Sequence, residues 1–139
     1  VNVPRWQVHG GKTMLFEVAT TKSMEEIEKG LEESAARHKF GIITVHNLKE
    51  TMAKKGVDFA GECMIYEVCN PHQAKKVLEE NGAVSTALPC RISVYKSGGE
   101  YRIATMLPSA MMQMFNSPGL APIAEEVETV IKAMMEEAA

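Results

Sequence analysis

Two alternating runs, residues 91–96 and 100–106, joined by Ser97-Gly98-Gly99, constrain this chain more than any other feature. Paired glycines supply the positive φ that tight hairpin turns demand, so the two runs must lie side by side and antiparallel. Ile92 and Val94 alternate with Arg91, Ser93 and Tyr95, and Ile103 alternates with Arg102 and Ala104. Successive side chains of a strand point to opposite faces. One face of the sheet is therefore apolar and needs a covering layer. The other carries Arg91, Tyr95 and Arg102, with Glu17 and Glu67 as candidates for the same side. That second face fits solvent, a dimer surface or a ligand floor.

The covering layer is legible in the helical periods. Ser23-Met24-Glu25-Glu26 has the pattern of a capping box. Met24, Ile27, Leu31 and Ala35 follow at helical spacing, and the helix should stop near Lys39. Ile123, Val127, Val130, Ile131 and Met134 mark a C-terminal amphipathic helix. Between these, residues 13–20, 41–45 and 62–69 read as strands. Asn47 caps a short helix over 48–55, which Gly56 stops. A helix from Asn70 or Pro71 runs to Asn81-Gly82, residues 108–115 form a short helix, and 116–122 form a loop. This order predicts an α+β fold: one antiparallel or mixed five-stranded sheet with helices mainly on one face. A length of 139 residues matches one core. The domain is expected over 12–139, behind a mobile arm over 1–11 that holds Pro4 and Gly10-Gly11.

Charge and composition exclude some partners. A net charge of −3 offers no basic face for nucleic acid. No stretch approaches the roughly 20 apolar residues of a membrane span. Three cysteines are too few for a disulfide scaffold and suit a reducing compartment. The expected location is cytoplasmic, or exported if a signal peptide was removed before Val1.

Chemistry concentrates around two cysteines. Cys69 ends a strand, Asn70 is a preferred N-cap, and Pro71 fits the first helical position. The positive end of that helix then faces Cys69, which favours a thiolate. Cys90 follows Leu88-Pro89 and precedes Arg91. If Cys69 and Cys90 are adjacent, Cys69 attacks and Cys90 resolves, giving redox or sulfur-transfer chemistry. If they are buried hydrophobes, they are structural. Arg91 suits a carboxylate or phosphate clamp, or an ion pair with Glu67 or Glu17. Met106, Met111, Met112 and Met114 suit a pliable pocket or interface. Thioethers also suit soft metals. With His46 and His72 as the nearby imidazoles, however, no metal-ligand spacing is present, and neither metal nor cofactor is expected. No phosphate-binding glycine loop, dinucleotide fingerprint, zinc-protease or serine-hydrolase motif occurs.

Four segments together resemble a known family. They are Lys39-Phe40-Gly41-Ile42-Ile43-Thr44; Val68-Cys69-Asn70-Pro71 with Ala74; Leu88-Pro89-Cys90-Arg91-Ile92 with Val94-Tyr95; and the tail from Pro108 through Asn116-Ser117-Pro118-Gly119-Leu120 to Val127. In this order they resemble domain-of-unknown-function family 302, from about Lys12 to the C-terminus. The resemblance implies a TATA-binding-protein-like half-saddle fold and small dimers, and it implies little about chemistry. The function expected is a homodimeric ligand-binding or sensing domain without enzymatic activity. It would hold a small apolar or anionic ligand between the sheet and residues 106–115, with Asn70, Arg91, Tyr95, Met106 and Met111 as candidate contacts. The alternatives are thiol chemistry through Cys69 and Cys90, and a purely structural interaction domain.

Overall fold

The computed structural model describes residues 4–5 and 14–139. The arm expected over 1–11 lies mostly outside them, apart from Pro4–Arg5 (β1), which pair with the next strand. The remaining strands are β2 (Leu15–Thr20), β3 (Gly41–Asn47), β4 (Cys63–Cys69), β5 (Cys90–Ser97) and β6 (Glu100–Met106). Five full strands and the two-residue β1 form one antiparallel sheet in the order β1-β2-β6-β5-β4-β3. The helices are α1 (Met24–Arg37), α2 (Leu48–Lys54), α3 (Pro71–Glu80), α4 (Pro108–Met112) and α5 (Leu120–Ala138). The fold is α+β, as the pattern of periods predicts.

The hairpin forms between β5 and β6, with Gly98 and Gly99 at φ 61° and 86°. Register then sets the faces. Phe16, Val18, Tyr66, Val68, Ile92, Val94 and Ile103 lie on one side and are buried to within 1% of completely. They form the core with Ile27 and Leu31 of α1 and Ile131, Met134 and Met135 of α5. On β4, Met64, Tyr66 and Val68 face this core, while Cys63, Ile65 and Glu67 share the other side with Arg91, Ser93 and Tyr95.

Helix α1 begins at the expected capping box, with Ser23 and Glu26 exchanging side-chain and backbone hydrogen bonds. It packs closely on α5. A Cβ at Gly30 would sit 3.0 Å from the Ala138 Cα. Buried Ser34 donates its hydroxyl across the helix pair to the Met134 carbonyl at 3.2 Å.

Two segments depart from the sequence reading. Residues 82–87 form a 3-10 turn that burial of Val84 anchors. The loop expected over 116–122 is shorter, because α5 already begins at Leu120. Pro122 falls in the first turn of that helix, where the missing N–H costs nothing. Burial of Leu120 and Ala124 against Val77, Val84 and Met112 holds this first turn in place.

Candidate functional site

The site is built where β4 ends and β5 begins. Strand β4 hands the chain to α3 through Asn70, whose Oδ1 accepts from the backbone N–H of His72 (2.9 Å) and of Gln73 (3.1 Å). This satisfies two of the orphan donors of the helix start, and Pro71 removes a third. The cap fixes the direction in which α3 leaves the sheet. Strand β5 starts after a cis Leu88–Pro89 peptide, and Val68 pairs with Cys90.

Between these strand ends and the helices lies a cavity of about 300 Å³. Val68, Cys69 and Cys90 come from the sheet and Phe40 from the approach to β3. Helix α3 contributes Gln73, Ala74, Val77 and Leu78; Met111 and Met112 of α4, and Ala124 and Val127 of α5, complete much of the wall. Among the described residues, none in the lining is charged. A second, more polar cleft of about 400 Å³ flanks it, bordered by Arg91, Ser93, Thr105 and Met106. Leu88, Pro89, Cys90 and Met111 border both spaces.

The predicted residues are therefore divided. Cys69, Asn70, Cys90 and Met111 meet at the apolar cavity. Arg91 and Met106 stand in the neighbouring cleft. Arg91 pairs with Glu67 at 3.4 Å across the β4–β5 register, and His46 approaches the same carboxylate at 3.3 Å. Tyr95 borders neither space. Its hydroxyl donates to Glu17, which also accepts from Arg102 at 3.2 Å. Burial, then the bond to Glu17, pushes the Tyr95 hydroxyl up to about 12.

The three cysteines are free thiols. Burial first, and the neighbouring Cys69 second, push the Cys90 thiol up to about 11. Cys90 is thus a neutral S–H at physiological pH. Among the described residues no group of three or more His, Cys, Asp or Glu side chains is arranged to hold a metal ion, and no helix is long and apolar enough to cross a membrane.

Gln73, Val77, Leu88 and Val127 were not singled out as site residues. Gln73, Ala74, Val77 and Leu78 do share one helical face, a spacing that is present in the sequence. What the spacing lacks is any sign that this face borders a cavity and not closed core.

The model of the domain of unknown function DUF302 matches residues 16–138. The chain belongs to the DUF302 family. A crystal structure of an uncharacterized conserved DUF302 protein from Bacillus stearothermophilus superposes with a TM-score of 0.87 at 33% identity, covering 91% of this chain and 98% of that one. No curated protein matches. The DUF302 match and the neighbour agree with the resemblance carried by the four sequence segments.

Proposed function

We propose that this DUF302 domain is a ligand-binding or sensing module, and that its ligand is a small, neutral, largely apolar molecule held between the β4–β5 strand ends and helices α3, α4 and α5. The observation that carries this reading is the cavity of about 300 Å³ with no charged residue in its lining among the described residues. That volume is at the lower end of small-molecule sites, which are mostly apolar with a few polar groups. An anionic ligand is disfavoured, because Arg91 lies in the neighbouring cleft and is paired with Glu67. The flexible thioethers of Met111 and Met112 suit a wall that adapts to its occupant.

Thermal denaturation across a panel of neutral apolar compounds tests this reading. A ligand that binds only the folded state raises the melting temperature by mass action. Ala74→Phe, which places a ring in the cavity, should remove that rise while keeping the circular dichroism of the wild type. A panel without any stabilising compound, or a rise that survives Ala74→Phe, defeats the proposal.

Thiol chemistry is the second reading, supported by Cys69 and Cys90 lining one cavity. It is weakened by the raised pKa of Cys90, which makes that thiol a poor nucleophile near neutrality. The homodimer expected from the sequence draws support from β3, a seven-residue strand at the sheet edge with Ile43 58% and Val45 43% exposed. An apolar edge strand is a template for pairing with another chain.

A further inference from the structure

We infer that Gln73 is the specificity-determining residue of the cavity, and that the ligand is an apolar molecule bearing a single hydrogen-bond donor, an O–H or N–H, directed at the Gln73 Oε1. This rests on the binding reading above and narrows it to a chemical class. Gln73 lines the cavity, and its Oε1 is buried with no hydrogen-bond partner among the described residues. Buried acceptors in folded proteins are nearly always satisfied, so an orphan on a residue that lines a ligand-sized space calls for a donor from outside the chain, met by a turn of the side chain towards that space.

Of the other polar side chains in the lining, Ser85 is exposed to solvent and Asn70 is engaged elsewhere. Asn70 Oδ1 is occupied by the backbone N–H groups of His72 and Gln73. That same cap anchors Gln73 through its main chain, in the first turn of α3, so its side chain springs from a fixed point. The surrounding wall of Val68, Val77, Leu88 and Val127 offers no competing acceptor. In such a low-dielectric setting one correctly placed hydrogen bond discriminates strongly, because a ligand without the donor leaves the acceptor buried and unpaired.

Three probes of nearly one shape separate the possibilities: indole carries an N–H donor, benzofuran only an acceptor oxygen, and indene neither. Each is titrated calorimetrically into the wild type, Gln73→Leu and Gln73→Met. The quantity read is the ratio of indole to benzofuran affinity in the wild type divided by the same ratio in each variant, which cancels their different solubilities in water. The expected value is roughly three- to tenfold, the net worth of one neutral hydrogen bond. Using two variants guards against one that fails to fold. If all three probes bind with equal ratios in every protein, the Gln73 inference is overturned and the apolar cavity reading stands. A quotient below one, with benzofuran gaining on indole in the wild type relative to the variants, overturns the donor assignment. If no probe binds the wild type, and the wider apolar panel also gives no stabilisation, the cavity reading itself falls and the inference with it.

Discussion

Cys90 stands at the boundary between sheet and cavity, and its protonation separates a structural thiol from a chemical one. Its pKa is raised from an ordinary 9.0 to about 11. Thiolate is the reactive form, so native Cys90 should alkylate far more slowly at pH 8 than the same cysteine in the unfolded chain. Its rate should climb until the pH approaches about 11, as read by peptide mass spectrometry. Equal rates in the native and unfolded chains at pH 8 would contradict the burial described here. The same shift has a stability consequence. Below pH 9 the thiol is protonated in both states, so its contribution is fully present. Above that value the unfolded chain loses its proton first, and the contribution is lost as pH rises towards about 11. Cys90→Ala should therefore flatten the alkaline limb of a stability profile.

At the scale of elements, the α1–α5 pair secures the layer that covers the sheet. Gly30 meets Ala138 at backbone distance, and Ser34 bridges to the Met134 carbonyl. Gly30→Leu introduces a side chain where even a Cβ is tight against the opposing backbone. The expected cost is about 1–3 kcal/mol, typical of overpacking, and it should appear in urea denaturation as a lower midpoint with an unchanged slope. A neutral or stabilising result would mean that the helices part more easily than their packing implies. Helix α3 is tied down differently, by its Asn70 cap and by Val77 in the smaller apolar cluster with Val84, Met112, Leu120 and Ala124. That cluster and the main core flank the cavity, which explains how an apolar space persists between two packed regions.

At the scale of the molecule, the sheet has one edge at β1 and the other at β3. The β3 edge exposes Ile43 and Val45, so the homodimer reading makes a direct prediction. The wild type should run as a dimer in size-exclusion chromatography with light scattering, and Ile43→Lys should shift it to the monomer. A lysine on an edge strand carries a charge into any strand-to-strand contact. A wild type that is monomeric at every concentration would remove the dimer from the proposal.

Most of the architecture is legible in the order of residues because strand and helix periods are local properties. Ser23 with Glu26, Asn47, Asn70 with Pro71, and Gly98-Gly99 each punctuate the chain through their own backbone chemistry. The alternation on β5 and β6 sets the two sheet faces whatever the strand order. The 3-10 turn over Gly82–Ala87 and the early start of α5 were not legible, because both depend on burying Val84 and Leu120 against helices distant in sequence. The candidate site divided in the same way. Residue order alone specifies that Cys69, Asn70 and Pro71 form a strand-to-helix junction and that Arg91 and Tyr95 share a sheet face. That Cys90 and Met111 join Cys69 at an apolar cavity follows from the packing of separate elements. The same packing sets Tyr95 on Glu17 and leaves the Gln73 Oε1 buried without a partner among the described residues. The reason is physical: faces and caps follow from neighbours along the chain, whereas a cavity exists only where several elements pack without quite meeting.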